Sequence, residues 1–472
     1  MKKVHFIGIA GSAMAPIAIM MKKKGWDVTG SDTNVFEPAL SLLNENDIKW
    51  YEGYDKGRVE DVDLVILGGF PLLGNPNNEE FIHAKELGKQ IEGYAYALQL
   101  LVVKDISIVV TGSYGKTTTT AIIAWILECA GKEPSFMVGG KPINFPTGVK
   151  STGGDFSVLE GDEFASVYSF DMEPRFLSYK PKYTILSSTK WDHLNIYKTE
   201  QSYIDAFIKL AKEVEKNSGV LFICASGENN EKVLNTYNGD SIIYALENRA
   251  TVIDSPIDYL AANIIHTENN TKFTVLLNDS PLGDFETDMI GEHNVENCLA
   301  AIAVCHHLRI DIKSINSGLS TFKGLKRRQE IIGTSTEGSI VIDDFAHSAV
   351  KAKSTLEALK TRYKNKKIIA IYQPRSSERE DRNALSAYRG AFDQADLVLL
   401  PKMTVKKSVP KEHRIYGKDY AAAISQTGTK TLYIPKDEEL IDRIKSESDE
   451  NTIIVFMSAS DWGDLMTQTL NE

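Results

Sequence analysis

The strongest constraint on this chain is an alternation that runs from its first residues to its last. Short runs of β-branched and aliphatic residues, closed by glycine or polar turns, are followed by stretches of helical periodicity. VHFIGIA (4–10) reads as a strand and 13–24 as an amphipathic helix, with DVTGSD (27–32) and LVILGG (64–69) as further strands. A connecting segment at 93–104 leads to SIVVTG (107–112), another strand. Strand–helix–strand repetition of this kind sets neighbouring strands parallel, with helices covering the sheet, so the fold class is α/β.

The alternation falls into three stretches. After the first hundred residues, FSVLEG (156–161), YTILSS (183–188) and VLFICA (220–225) read as strands of a second sheet. ANIIHTENNTKFTVLL has strand periodicity on both sides of a polar turn at 269–272 and predicts a small antiparallel addition. A helix at 293–308 closes this part, and FKGLKRRQE (322–330) reads as a hinge. SIVIDDFA, KIIAIYQP, ADLVLLP, TLYIP and TIIVFMSAS are then strands separated by helical stretches such as 349–363 and 384–393. The expectation is three α/β domains in series, 1–104, 105–324 and 325–472: a Rossmann-like N-terminal domain, a central phosphate-loop domain and a Rossmann-like C-terminal domain.

Composition narrows the class. A chain of 472 residues exceeds what one core organises. Lys+Arg 53 against Asp+Glu 64 leaves a net charge of −11, so no excess of cations is available for nucleic-acid phosphates. No apolar run reaches the roughly 18 residues of a membrane span. The opening MKKVHFIGIAGSAMAPIAIM reads as strand, turn and helix, because His5, Gly8 and Gly11 interrupt its apolar run, and a cytoplasmic chain is expected. Cys129, Cys224, Cys298 and Cys305 have no metal-like spacing and are expected to be buried thiols.

TGSYGKTTTT (111–120) carries the chemistry. Gly112, Ser113, Gly115, Lys116, Thr117 and Thr118 sit between a buried strand and a helical pattern, where backbone amides converge on phosphate oxygens. Lys116 is expected to bridge the β- and γ-phosphates, and the Thr117 hydroxyl to reach Mg²⁺. The usual loop has four residues between its glycines, whereas this one has two. GIAGSA (8–13) makes a second glycine turn between strand and helix, with Asp32 at the end of the next strand. That pattern points to a nucleotide diphosphate and does not separate a dinucleotide from a nucleotide sugar.

The compact loop fits its surroundings. GSYGKTTTT, LEGDE (159–163), WDH (191–193), GEHNVEN (291–297), KRRQE (326–330) and DDFAH (343–347) occur in that order. The chain resembles the Mur ligase family, ATP-dependent amide-bond formers of peptidoglycan precursor synthesis, whose loop has the short G-x-x-G-K-T form. The resemblance spans the whole chain. It implies ATP and Mg²⁺ as cofactors, UDP-N-acetylmuramate as one substrate and an amino acid or peptide as the other. SDTNVFEP (31–38), the stretch 139–145 and QPRS (373–376) carry a narrower likeness to the branch that joins a preformed L-alanyl peptide during murein recycling. Ligation of free L-alanine is the alternative, and a non-catalytic nucleotide-binding module a third reading.

The resemblance also implies roles. Lys116, Glu160, His193 and Arg328 are the expected catalytic set, with Thr117, Glu160 and His193 as metal ligands. Gly112, Ser113, Gly115, Lys116, Thr117, Thr118, Asn294, Arg328, Asp344 and His347 are expected at ATP, with Asn297 a weaker candidate. Gly8, Gly11, Ser12, Ala13, Met14, Ser31 and Asp32 are expected at the UDP-sugar. Arg375, with Arg379 and Arg382 nearby, is expected at the carboxylates of the amine substrate. Taken singly, Glu160 also fits a surface carboxylate, His193 a core or capping residue and Asn294 a helix cap. Two departures stand out. The place of the carbamylated lysine found in many relatives is taken by Phe207, with Lys209 two residues away, so no such modification is expected. Tyr114 stands where this branch usually has histidine, and the loop 164–176 carries one basic residue, Arg175.

Overall fold

A computed structural model describes residues 1–470 except 12, 36, 38, 70, 194–195, 376–381, 406–409 and 411–412. The chain forms two compact units. The first comprises residues 1–263, 273–286 and 296–322, and the second 264–272, 287–295 and 323–472.

The N-terminal sheet has five parallel strands, in the order Lys49–Glu52, Asp27–Asp32, Lys3–Ile7, Leu64–Leu67 and Gln90–Gly93. Its two edge strands escape a reading by apolar run because each has only four residues and none or one of them is buried. The central sheet has ten strands. From one edge they are Ser280–Thr287, Thr271–Leu277, Tyr259–His266, Asp240–Leu246, Val220–Cys224, Tyr183–Leu186, Ile106–Thr111, Phe156–Gly161, Ser135–Met137 and Val149–Lys150. Pairing from Asp240–Leu246 through Ser135–Met137 is parallel. The expected antiparallel addition is a three-strand extension of this sheet, its first turn closed by Thr267 N–H to Asn270 O at 2.8 Å.

One apolar cluster in the first unit runs from Val4, Met21 and Leu98 to Phe176, Tyr203 and Phe207. The N-terminal and central sheets therefore share a continuous core. Phe207 belongs to that core, edge-on to Tyr203, and Lys209 pairs with Glu173 at the surface.

The third sheet runs Glu330–Thr334, Ile340–Asp344, Thr452–Ser458, Lys367–Gln373, Leu397–Leu400 and Thr431–Tyr433. Only the Glu330–Thr334 pairing is antiparallel. Strand alternation divides its apolar residues cleanly. Ile368, Ala370 and Tyr372 enter one core, and Ile369 and Ile371 the other. The helix expected at 384–393 is instead a 3₁₀ helix, Arg382–Tyr388, anchored by buried Tyr388 and followed by Gly390 at φ +77°. Three cysteines are buried as expected, but Cys129 is exposed at the end of its helix. No helix among the described residues is long and apolar enough to cross a membrane.

Candidate active site

The phosphate loop rises from the middle of the central sheet. Thr111 ends its strand level with Gly161 on one side and Leu186 on the other, so the loops after all three strands leave from one edge. Ligands of open parallel sheets bind at such edges. The loop turns at Gly112 (φ +119°) and Gly115 (φ +77°). A Cβ on Gly112 would lie 2.3 Å from Ser187 Oγ, and one on Gly115 would lie 2.3 Å from Asn297 Oδ1. Both positions exclude side chains by dihedral and by space. Ser113 N–H donates to Ser188 O at 2.8 Å, and Ser187 Oγ donates to Tyr114 O at 2.6 Å. The segment that follows the neighbouring strand thus braces the short loop, and the Tyr114 side chain is exposed.

Helix Lys116–Cys129 starts directly at Gly115, with Thr118 half-buried in its first turn. Lys116 Nζ donates to Gly112 O at 2.7 Å and to Glu163 Oε2 at 3.1 Å. Thr117 Oγ1 donates to Glu160 Oε1 at 2.8 Å, and Glu160 Oε2 accepts from Gly139 N–H at 2.7 Å. Glu163 Oε1 lies 2.9 Å from His193 Nε2 and accepts from Tyr203 OH at 3.3 Å. Four expected residues, Lys116, Thr117, Glu160 and His193, therefore meet in one place. Glu163 joins them, although it attracted no role in the sequence beyond its place in LEGDE. His193 holds a left-handed backbone (φ +55°), with its ring 4.2 Å from that of Phe164.

The charges are unbalanced towards acid. Burial raises Glu160 to about 7, with Asp162 adding to the effect against Lys116 and the bonds from Gly139 and Thr117. Burial also raises Asp162. It would raise Glu163 too, but the Lys116 charge and the His193 bond outweigh it and hold that carboxyl at about 2. Burial pulls the Lys116 ammonium down, and Glu163, Asp162 and Glu160 together more than reverse this. A site with this acid surplus suits a divalent cation. Among the described residues no group of three or more His, Cys, Asp or Glu forms a cage for one. Thr117 and Glu160 offer two oxygens, the partial set that magnesium accepts when phosphates and water complete its shell.

Of the two asparagines in GEHNVEN, Asn297 is the one against the loop: it accepts from Thr119 Oγ1 at 3.1 Å and covers Gly115. Asn294 is buried, and its Nδ2 donates to Ile290 O at 2.8 Å.

At the first glycine turn, Gly8 N–H and Ile9 N–H donate to Ser31 O, and Ala10 N–H donates to Asp32 Oδ2 at 3.0 Å. Asp32 thus ties the turn to the next strand. Gly11 and Ala13 lead into helix Met14–Lys23, where Met14 is buried, and Ser12 lies outside the described residues. The Ser31 side chain needs correction as a ligand contact. It is fully buried and bonds to Glu80, with His5 Nε2 at 3.3 Å, because strand alternation puts it on the opposite face of the sheet from Asp32. Arg175 sits where the two sheets of the first unit meet. Its guanidinium lies over the Tyr94 ring at 4.6 Å and bonds to Asp162 Oδ2 at 3.3 Å, next to Gly69.

In the second unit, Arg328 is exposed, 5.5 Å from the Phe345 ring, between Arg327 (φ +60°) and Gln329 (φ +50°). Asp344 is buried, and it accepts hydrogen bonds from Gln329 N, Ala346 N and Thr355 Oγ1, which brace the turn around it. His347 Nδ1 donates to Phe345 O at 2.7 Å, and its Nε2 lies 3.5 Å from Lys351 Nζ. Burial, followed by Lys351, lowers this histidine to about 4. Arg375 is exposed beside it, its N–H donating to His347 O at 3.1 Å. Arg382 does not join Arg375: it pairs with Asp419 at 3.0 Å and bonds to Arg414 O. Arg379 lies outside the described residues.

A glycine loop of this geometry, with a lysine and a threonine at the helix start and carboxylates on the same sheet edge, defines the chain as a phosphate-loop α/β enzyme. Comparison with known proteins gives the family. The model of the Mur ligase middle domain matches residues 110–305, that of the Mur ligase, glutamate ligase domain matches 327–460, and that of the Mur ligase family, catalytic domain matches 3–105. The UDP-N-acetylmuramate–L-alanine ligase of Sulfurihydrogenibium sp. is 30% identical over 97% of this chain and 95% of its own. That of Clostridium kluyveri is 33% identical over 84% and 83%. The solved UDP-N-acetylmuramate–alanine ligase of Thermotoga maritima matches with a TM-score of 0.76 at 25% identity, over 99% of this chain and 98% of that one. A murein peptide ligase of Psychrobacter arcticus shares the fold, with a TM-score of 0.66 at 24% identity over 100% and 99%. The chain belongs to the Mur ligase family, whose members are ATP-dependent, ADP-forming ligases.

Proposed function

We propose that this chain uses ATP and Mg²⁺ to join the carboxylate of UDP-N-acetylmuramate to the amino group of L-alanine in the cytoplasm. The observation that carries the reading is the full-length likeness to ligases named for that reaction, on a chain whose Lys116, Thr117, Glu160 and His193 meet at one sheet edge. A carboxylate resists amines because hydroxide leaves poorly. Transfer of the γ-phosphoryl group to it makes an acyl phosphate, which an unprotonated amine attacks with loss of phosphate. Such transfers ask the protein for position and charge neutralisation.

The roles divide by domain. Residues 1–104 hold the nucleotide sugar through the turn at Gly8–Met14. Residues 105–324 hold ATP, with Lys116 on the β- and γ-phosphates, Thr117 and Glu160 on one magnesium, and His193 on a second. Residues 325–472 supply Arg328 to the γ-phosphate and Arg375 to the carboxylate of the amine substrate.

The peptide-joining reading has less support. The relatives that match most of the chain are named for L-alanine, and the likeness to a murein peptide ligase is one of fold. Phe36, Pro38 and Ser376, from the motifs behind that reading, lie outside the described residues. The test is phosphate release with UDP-N-acetylmuramate and either L-alanine or an L-alanyl peptide, in wild type and Arg375→Ala. L-Alanine is expected to give the higher specificity constant, and the Arg375 change to lower it. Release with the peptide alone overturns the assignment.

A further inference from the structure

Glu163 has contacts that neither the motif reading nor the family assignment accounts for. It is 1% exposed, yet three functional segments converge on its carboxylate. Lys116 of the phosphate loop donates to Oε2, while His193 and Tyr203 meet Oε1. Its own backbone is fixed as well, since Tyr197 OH donates to Glu163 O at 2.6 Å. His193 is held in turn by Asp192 Oδ1, which accepts its N–H at 2.7 Å, and by the Phe164 ring. A left-handed backbone at a residue other than glycine persists only where its surroundings over-determine it, and the Glu163 contact is one of those constraints.

The lysine end of the contact has a different consequence. An ammonium has three N–H donors. In the free chain those of Lys116 serve Gly112 O and Glu163. A triphosphate entering the loop needs the same donors, and it brings negative charge towards a buried carboxylate. Glu163 therefore competes with the nucleotide for Lys116 while it steadies His193.

We propose that Glu163 is a positioning residue that holds Lys116 and His193 in a ready arrangement and yields Lys116 to the triphosphate when nucleotide binds. The inference rests on the ligase reading above. It makes affinity and turnover move in opposite senses, which a purely structural carboxylate would not do.

The test uses the full chain with Glu163→Gln, which keeps the shape and removes the charge, and with Glu163→Asp, which keeps the charge and shortens the reach. MgATP binding is measured by calorimetric titration without the muramyl substrate, and kcat in the complete reaction. Glu163→Gln is expected to bind MgATP about 3- to 10-fold more tightly, as a buried like charge is removed. Its kcat is expected to fall by roughly 10- to 100-fold, as for loss of a group that orients a histidine ligand. Glu163→Asp, retaining the charge, should bind MgATP no more tightly than wild type and recover part of the kcat. Weaker MgATP binding by Glu163→Gln, or an unchanged kcat, overturns the proposal while leaving the ligase reading intact. If Glu163→Gln does not fold, Glu163→Asp decides alone: wild-type kcat overturns the proposal. A wild-type chain that fails to bind MgATP removes the ligase reading and this inference together.

Discussion

Asn297 closes over Gly115 so tightly that a methyl group on the glycine would sit 2.3 Å from its Oδ1. The contact sets the height of the phosphate loop, because Gly115 is also where the helix begins.

Gly115→Ala is expected to fail twice. Its φ of +77° strains any side-chain-bearing residue, and the new methyl meets Asn297. A stability loss of about 1–3 kcal/mol is expected, together with loss of MgATP binding. Asn297→Ala in the same chain should remove the collision and keep the dihedral strain. Calorimetric unfolding of the single and double variants separates the two terms. Equal stability of Gly115→Ala and wild type would show that the loop is looser than described.

Lys116→Ala is expected to lower turnover by at least about 10³-fold, since a charge aimed at the transferring group is lost. The fold should suffer as well. Glu163 is fully buried in its side chain and Lys116 is the lysine that pairs with it, so a penalty on the order of 3 kcal/mol is expected at neutral pH. The sign follows from the depressed Glu163 carboxyl, at about 2 against an ordinary 4.5. Its stabilisation is present above 4.5 and is lost as pH falls through 2. The deficit of the variant should therefore shrink on acidification. Phosphate release and denaturant unfolding, followed against pH, check both halves.

If the muramyl carboxylate is phosphorylated, ¹⁸O placed in it must appear in the released phosphate. The placement of Lys116, Thr117 and Glu160 around one helix start motivates the experiment. Mass spectrometry of the phosphate reads the result. Label that remains wholly in the amide product, or that appears in AMP, rules the acyl phosphate out.

Two neighbours in the second unit should pull stability in opposite directions with pH. His347 titrates at about 4 when folded against 6.5 ordinarily, so the unfolded chain binds the extra proton between those values. Its contribution is present above 6.5 and lost as pH falls through 4, worth about 3 kcal/mol across that gap. Burial raises Asp343 to about 6 from 3.8, with Glu330 and Asp344 adding to it and Arg327 opposing. Its contribution is present below 3.8 and lost as pH rises through 6. Relative to wild type, His347→Gln should lose stability and Asp343→Asn should gain it as pH rises from 4 to 6. Calorimetry of the three proteins over that range tests the signs, and parallel curves would refute them.

The parts of this site that were legible in the sequence are the local ones. The loop from Gly112 to Thr117 declares itself because glycines, lysine and threonines lie together between a strand and a helix. Glu163 does not, since its meaning depends on Lys116, 47 positions earlier, and on His193 beyond a further strand. A third acid, three places after Glu160 and next to Asp162, looks like any polar strand end. Ser31 misled for the opposite reason: its position suited a ligand, but alternation along the strand sends its hydroxyl into a buried cluster with His5 and Glu80. Asp344 was legible as a residue of the sheet edge, whereas the three donors that satisfy it come from two turns and from Thr355 of the following helix, which only folding brings together. The four-residue edge strands of the first sheet were silent because so few of their residues are buried.

The hydrogen bond from Thr119 to Asn297 joins residues 178 positions apart. During synthesis the phosphate loop is made long before the asparagine that fixes its height, and more than a third of the protein must emerge in between. Every strand from Ser135–Met137 to Ser280–Thr287 is laid down in that interval. A growing chain therefore completes its nucleotide grip only once the central sheet is finished, and a ribosome that stalls before residue 297 releases a protein with the loop's chemistry but not its clasp.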